Sequence, residues 1–155
     1  MAARLQLDAR GVLMTCDPCG ATNRLKFEAI ERPTRCGKCH AALPFPSTPI
    51  DAPSAALFDA AIRAASVTVI VDFWATWCGP CHMMAPELEK VAQRTNGRAL
   101  VLKVDTDQHP ELSERYGIRS IPTLMVFRGG RDVERTAGAQ PASAVEAMLS
   151  RHAHA

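Results

Sequence analysis

The 155-residue chain lacks a long apolar run, a strong excess of charge and an apolar signal-peptide core. No stretch approaches the ~20 apolar residues of a membrane helix, and the longest, Val67 to Trp77, is interrupted by Asp72. The net charge of +2 is too small to favour nucleic acid or an anionic membrane as the main partner. The first eleven residues, MAARLQLDARG, alternate charged and apolar side chains. We therefore expect a cytoplasmic protein that binds neither nucleic acid nor membrane.

The sequence also lacks an unpaired cysteine. Its six cysteines form three C-x-x-C pairs, namely Cys16/Cys19, Cys36/Cys39 and Cys78/Cys81. The cytoplasm keeps thiols reduced, so six cysteines in that compartment indicate metal binding or redox catalysis rather than a disulfide scaffold.

A proline-rich segment divides the sequence near residue 50. Residues 44–53, PFPSTPIDAP, contain four prolines and predict a semi-rigid linker. Residues 1–43 hold four cysteines and few large apolar side chains, so a metal or disulfides must replace a core in this small module. Residues 54–155 form the third predicted unit, an α/β domain.

The pattern after the linker predicts an α/β fold with a mixed sheet, because strand and helix signals alternate and end in a hairpin and a helix. The segment 67–74 is β-branched and aromatic, and it is apolar on both faces, as a covered central strand should be. Helices are predicted over 54–65, 78–95, 109–116 and from 141, and further strands over 99–104, 123–127 and 132–136.

The third cysteine pair lies where a strand that ends near Trp77 turns into a helix. Cys78 is therefore predicted at the helix N-terminus, where unpaired N–H groups and the helix dipole favour a thiolate nucleophile. Cys81 follows one turn later on the same face and is the predicted resolving thiol. A bare C-x-x-C is equally consistent with a metal site, but the strand-to-helix junction between Trp74 and Trp77 favours redox chemistry.

The segment around this pair, VDFWATWCGPC, resembles the active site of the thioredoxin family. The resemblance extends over about residues 50–150, through Pro86, KVDTD, SIPTL, the FRGG turn and the AGA near Gly138. It implies the thioredoxin fold, a central mixed sheet flanked by helices, and a protein-disulfide reductase that acts on disulfide-containing client proteins. We expect the chain to act as a monomer. The resemblance also implies re-reduction by thioredoxin reductase, an NADPH-dependent flavoprotein. The chain itself has no glycine-rich nucleotide motif, so we expect no nucleotide cofactor.

Asp72 is the most informative charge, since it lies within a strand that is predicted to be buried on both faces. The resemblance implies that Asp72 helps to remove the proton of Cys81, directly or through water, and that Lys103 is its neighbouring lysine. The alternative is a carboxylate at the edge of the sheet that reaches solvent.

The segment SIPT matches the position where thioredoxins keep a cis proline, so the resemblance implies a cis bond between Ile121 and Pro122 that faces the sulfurs. The alternative is a plain proline at a strand entry. His82 stands where family members usually carry Lys or Arg, and we interpret it as a solvated side chain. The resemblance also implies a shallow apolar docking surface for extended clients, formed by Trp77, Gly79, Ile121 and Gly138.

The four cysteines before the linker have the spacing of a zinc site, two C-x-x-C pairs separated by sixteen residues. Cys16, Cys19, Cys36 and Cys39 are predicted to form a closed tetrahedral shell around one structural zinc ion, with an iron site of the rubredoxin type as the alternative. The basic excess of residues 1–49, with seven Lys or Arg against four Asp or Glu, offsets the charge of such a cluster. Interleaved aromatic residues are missing, which argues against nucleic-acid binding by this zinc-ribbon-like module.

The segments CDPCGATNR and CGKCH resemble the zinc-containing second thioredoxins of bacteria. Loss of the metal is expected to unfold residues 1–43 and to leave the α/β domain folded. Two other functions remain open: a zinc-dependent, redox-regulated binding module or holdase, and an oxidase or isomerase of an oxidising compartment. The Gly-Pro pair between Cys78 and Cys81 and the missing signal sequence argue against the oxidase.

Overall fold

The computed structural model describes residues 5–153, and the first part of it is a small set of antiparallel strands. We call residues 5–43 the amino-terminal segment. A three-stranded sheet in the order β1-β2-β3 is followed by a 3-10 helix and a two-stranded hairpin. The elements are β1 (Leu5–Leu7), β2 (Gly11–Thr15), β3 (Thr22–Lys26), the 3-10 helix (Phe27–Ala29), β4 (Thr34–Arg35) and β5 (Ala42–Leu43).

The second part, residues 50–153, is an α/β unit around a five-stranded mixed sheet. Its strands are β6 (Ile50–Asp51), β7 (Thr68–Trp74), β8 (Ala99–Asp105), β9 (Thr123–Arg128) and β10 (Arg131–Ala137). Its helices are α1 (Ala55–Ala64), α2 (Gly79–Arg94), α3 (Pro110–Arg115) and α4 (Ala142–Arg151). The strand order is β10-β9-β7-β8-β6, with β7 parallel to β8 and antiparallel to β9. The predicted α/β class and mixed sheet are confirmed.

Local signals in the sequence explain where these elements begin and end. Ser54 caps α1, because its hydroxyl oxygen accepts a hydrogen bond of 3.1 Å from the backbone N–H of Leu57. Asn96 and Gly97 end the turn after α2 with positive φ values of 48° and 80°. Each predicted helix and strand of this unit lies within a few residues of its observed range. Among residues 5–153, no helix combines the length and the apolar character of a membrane-spanning segment.

The central strand β7 separates two apolar layers. Ile70 on one face packs with α2 and α4 through Leu88 and Val145. Val71 and Phe73 belong to the layer on the opposite face, which includes residues of α1. Asp72 alternates with Val71 and Phe73, so it points to the face that α2 covers.

The amino-terminal segment shares the core layer on the α1 side of the sheet. Val12, Phe27 and Ile30 are at most 1% exposed and belong to the same buried cluster as Phe58 and Phe127 of the α/β unit. This segment has few large apolar residues, as its composition indicates. They bury their side chains against the α/β unit rather than in a core of their own, which the composition of residues 1–43 taken alone does not reveal.

The proline-rich segment is also joined to the α/β unit. Ile50 and Asp51 form the edge strand β6, and the backbone N–H of Ala52 donates to the carbonyl oxygen of Lys103 at 2.9 Å. A Cβ on Gly97 would lie 2.5 Å from Cδ1 of Phe45, so this glycine is required both for its positive φ and for the close approach of the phenyl ring. Parts of residues 44–53 are therefore packed structure rather than a free connector.

The shared core predicts that Phe27→Ala destabilises the α/β unit as well as the segment that carries it. Loss of the fully buried ring leaves a cavity and should lower the free energy of unfolding by about 3–5 kcal/mol. Urea unfolding followed by tryptophan fluorescence measures this, because Trp74 and Trp77, the only tryptophans, lie in the α/β unit. Lys26→Ala, at the exposed neighbouring position, is the control. A tryptophan transition that Phe27→Ala leaves in place would show that the two parts unfold independently.

Candidate active site and metal centre

Cys78 and Cys81 meet at the start of α2, where the chain leaves β7. They form a disulfide with Cα atoms 5.3 Å apart, and both side chains are buried. Cys78 is the residue that caps the helix, since the backbone N–H of Cys81 donates to its Sγ at 3.2 Å. Pro80 occupies the first turn, where no backbone N–H is required. The helix therefore directs two features at the sulfur of Cys78: a backbone N–H that has no acceptor within the helix, and the positive end of the helix dipole.

The segment before β9, the strand that pairs with β7, packs against the disulfide. The Ile121–Pro122 peptide bond is cis, and the carbonyl oxygen of Ile121 lies 3.7 Å from Sγ of Cys78. The backbone N–H of Gly138 donates to the carbonyl oxygen of Pro122 at 2.8 Å, and Gly138 has a positive φ of 92°. The structure thus brings the helix start and the Ile121–Pro122 and Gly138 segments to one place.

The surface around the disulfide is partly apolar and open. Trp77 is 70% exposed, and a Cβ on Gly79 would meet no atom within 4 Å. Asp107 is a residue that our sequence interpretation missed: its Oδ2 accepts a hydrogen bond of 3.0 Å from the indole N–H of Trp77. The KVDTD segment supplied the only signal for it, because an acidic residue after the end of a strand beside the active site can reach the neighbouring loop.

Asp72 is buried in the centre of the sheet, so the alternative of a solvent-reaching carboxylate at the sheet edge is wrong. Its strand β7 lies between β8 and β9, and its side chain is 2% exposed. Oδ1 of Asp72 has no hydrogen-bond partner within residues 5–153. Burial raises the pKa of Asp72 to about 7, and the positive charge of Lys103 opposes that rise. Cys81 lies on the buried face of α2, which covers the same side of the sheet.

Lys103 links Asp72 to a second carboxylate that the sequence did not single out. On β8, Lys103 is aligned with Asp72 of β7 on one side and with Asp51 of β6 on the other. Its Nζ lies 4.1 Å from the ring centroid of Trp74, a cation–π contact.

His82 is exposed, and its Nε2 lies 2.5 Å from the carbonyl oxygen of Thr76.

The four remaining cysteines converge in the amino-terminal segment. Their sulfur atoms all lie within 4.8 Å of one another, with Sγ–Sγ distances of 3.6 Å for Cys16 to Cys39 and for Cys19 to Cys36. A zinc ion bound at roughly 2.3 Å by four tetrahedral thiolates requires sulfurs about 3.8 Å apart. The four sulfurs fit such an ion.

Each of these two cysteine pairs lies on its own backbone turn, and the two turns have the same form. In the first turn the N–H of Gly20 donates to the carbonyl oxygen of Cys16 at 2.7 Å, and in the second the N–H of His40 donates to that of Cys36 at 3.0 Å. Gly20 and His40 both have positive φ, of 75° and 65°. We call residues 16–20 the first knuckle and residues 36–40 the second knuckle. The backbone N–H of His40 closes the second turn. The side chain of His40 does not belong to the group of four cysteines that could hold a metal.

Electrostatics in the cluster favour a bound cation. The backbone N–H of Cys39 and the side-chain amide of Asn23 lower the pKa of Cys36 to about 5. For Cys16 the backbone N–H of Cys19 acts in the same direction, but burial and the other thiols raise the pKa to about 12. Burial and the neighbouring thiols therefore oppose ionisation of Cys16 in the absence of a counter-ion. A dication removes this restriction, because it lets all four act as thiolate ligands.

Comparison with known proteins agrees with the fold and with the disulfide site. The family model described as thioredoxin matches residues 49–151. The chain is 46% identical over 95 residues to thioredoxin 1 of Nostoc sp., which covers 61% of this chain and 89% of that protein. It is 39% identical over 128 residues to thioredoxin C-3 of Corynebacterium nephridii, which covers 83% of this chain and 86% of that protein.

A solved structure leads to the same result. A mutant thioredoxin from Halobacterium salinarum superimposes with a TM-score of 0.66 at 33% identity, and the match covers 71% of this chain and 95% of the other. The helix-capping disulfide of this chain lies within the matched region. The chain therefore belongs to the thioredoxin family: it has the thioredoxin fold and is a protein-disulfide oxidoreductase.

Proposed function

We propose that this protein is a cytoplasmic reductase of client disulfides, with Cys78 as nucleophile and Cys81 as resolving thiol, and that thioredoxin reductase restores its dithiol. The observation that carries this proposal is the capping geometry, in which the N–H of Cys81 lies 3.2 Å from Sγ of Cys78 at the helix start. A thiolate at this position is stabilised. The buried sulfur lies one residue from the exposed indole of Trp77, at the rim where an extended client would bind. A reducing compartment and a partner reductase then keep the pair in the dithiol form.

The reaction consists of two thiol–disulfide exchanges. The thiolate of Cys78 attacks one sulfur of the client disulfide, so that the client S–S bond breaks and a mixed disulfide forms. Asp72 accepts the proton of Cys81, and the resulting thiolate attacks Sγ of Cys78 and releases the second client thiol. Two electrons pass from the protein to the client, and Cys78 and Cys81 end as the disulfide seen in the structure. Lys103 stabilises the ionised form of Asp72.

The client binds as an extended segment on the open rim of the disulfide. Its backbone lies beside the cis peptide bond at Ile121 and Pro122, and its apolar side chains contact the exposed indole of Trp77. We assign the working unit as a monomer. The docking surface comprises Trp77, Gly79, Ile121 and Gly138.

Residues 1–43 form a metal module, residues 44–53 the connection and residues 54–155 the redox domain. Cys16, Cys19, Cys36 and Cys39 would hold one zinc ion, which crosslinks the two knuckles when it is bound. The fit of the four sulfurs and their need for a counter-ion support this assignment. The match to the bacterial zinc-containing thioredoxins remains part of the same proposal.

The double variant Cys78→Ser/Cys81→Ser should reduce insulin no faster than the background reaction with dithiothreitol, because it lacks both exchanging sulfurs. The single variant Cys81→Ser should accumulate a mixed disulfide between Cys78 and the client, since resolution is blocked. Turbidity and non-reducing electrophoresis measure these outcomes, and Cys39→Ser is a control that removes a thiol outside the active site. Undiminished client protection by the double variant would instead identify the protein as a binding module or holdase.

Asp72→Asn should raise the free energy of unfolding of the oxidised protein at neutral pH, and it should slow the resolution of the mixed disulfide. The folded-state pKa of Asp72 is raised to about 7, so the unfolded state binds fewer protons between roughly pH 4 and 7, and wild-type stability falls as the pH rises through this window. The variant escapes this loss, which amounts to at most about 4 kcal/mol above pH 7. Urea unfolding from pH 4 to 9 tests the prediction.

The same variant should slow resolution of the mixed disulfide by about a hundredfold or more near pH 7, because the proton acceptor of Cys81 is absent. Stopped-flow measurements from pH 6 to 9 should show a wild-type rate that rises as Asp72 ionises and a variant rate without that step. Asp51→Asn, which removes an exposed carboxylate aligned with Lys103, is the matched control. Superimposable pH profiles for wild type and Asp72→Asn would remove Asp72 from the mechanism.

The reduced protein should bind one equivalent of Zn²⁺, and Co²⁺ in its place should give the intense thiolate-to-metal absorption of a tetrahedral four-sulfur site. Cys16→Ser and Cys36→Ser should each abolish this spectrum, whereas Cys78→Ser should preserve it. Metal analysis of the purified protein distinguishes zinc from iron. A four-sulfur spectrum that survives loss of Cys36 would place the metal elsewhere.

A further inference from the structure

The two knuckles have the same form of backbone turn but differ in the hydrogen bonds that their sulfurs receive. In the second knuckle the backbone N–H of Lys38 lies 3.4 Å from Sγ of Cys36. The corresponding residue of the first knuckle is Pro18, which has no N–H to offer Cys16. The sulfur of Cys36 is therefore held by a donor that its counterpart Cys16 lacks.

Asn23 adds a second difference, and it joins the two knuckles. It lies on β3, the strand that leaves the first knuckle, and its side chain reaches the second. Nδ2 donates to Sγ of Cys36 at 3.4 Å, and Oδ1 accepts from the backbone N–H of Gly37 at 2.9 Å. The second knuckle has no equivalent group, because Leu43 stands at the corresponding position after Cys39.

The orientation of this amide follows from its neighbours. The backbone N–H of Gly37 can only donate, so the atom that faces it must be Oδ1 of Asn23. The NH₂ group is then directed at Sγ of Cys36, which can satisfy it only as an acceptor. A metal-bound thiolate is such an acceptor, and hydrogen bonds to ligand atoms fix their orientation and tune the metal.

We propose that Asn23 is a positioning residue of the metal centre: it orients the thiolate of Cys36 and locks the second knuckle to the strand that leaves the first. This inference rests on the metal site of the proposed function. Four ligands that come from two separate turns must be brought together before an ion can use them all. One side chain that bonds both a ligand sulfur and the adjacent backbone reduces the ordering that metal binding would otherwise require.

Asn23→Ala should lower the affinity for Zn²⁺ by about 10- to 100-fold in competition with a chromogenic chelator, the range typical of lost outer-shell partners. It should also shift the thiolate-to-cobalt absorption of the Co²⁺ form, because the sulfur of Cys36 loses a donor. Asn23→Asp keeps an acceptor for Gly37 but places a carboxylate near the thiolate, so its loss of affinity should be at least as large. Thr22→Ala, at the exposed neighbouring position of β3, should stay within twofold of wild type.

Release of Zn²⁺ from the loaded proteins into excess chelator keeps the test valid if a metal-free variant does not fold. Asn23→Ala should release the ion faster than wild type and Thr22→Ala at the wild-type rate. Affinity, release rate and Co²⁺ spectrum all unchanged in Asn23→Ala would overturn the positioning role and leave the metal site standing. A wild-type protein that forms no four-sulfur Co²⁺ complex would overturn the metal site and the role of Asn23 together.

Discussion

The start of α2 is the constraint on which the redox site depends. A short turn after β7 leads to Cys78, where the chain enters a helix whose first N–H groups have no acceptor within the helix. One of these groups, on Cys81, points at Sγ of Cys78, so the sulfur is the cap that the helix needs. The same geometry favours negative charge on that sulfur, and the reactive form of the thiol is thus a consequence of where β7 ends.

The central position of β7 also buries the carboxylate for which we propose the role of proton acceptor. This strand has hydrogen-bonded neighbours on both sides and helices on its faces, so residues 68–73 are all buried, including Asp72. Burial brings the pKa of that carboxyl to about 7, where it can both take up and return a proton at physiological pH. The strand that delivers Cys78 at its end therefore also determines the acid–base behaviour of a group behind the helix.

The sequence predicts the α/β fold well because its signals are local. The β-branched apolar run of β7, the Ser54 cap and the Asn96-Gly97 stop each act within a few residues. The four-cysteine cluster was predictable from spacing alone. The burial of Phe27 against Phe58, the bond between Asp107 and Trp77, and the reach of Asn23 to Cys36 were not, because each joins residues far apart in the chain. The edge strand at Ile50–Asp51 was hidden among prolines, which normally indicate a linker.

Three C-x-x-C pairs in one chain show that the motif does not decide its own chemistry. Gly20 and His40 follow the first two pairs in the left-handed conformation and return the chain to extended structure, so two turns converge and four sulfurs meet. After Cys81 the backbone continues through thirteen more residues of helix, and the sulfurs of Cys78 and Cys81 bond to each other. The proline common to CDPC and CGPC does not distinguish the two outcomes, because Pro18 and Pro80 both occupy positions where no N–H is needed. The residue after the second cysteine is left-handed in the two pairs whose sulfurs cluster and helical in the pair that forms the disulfide.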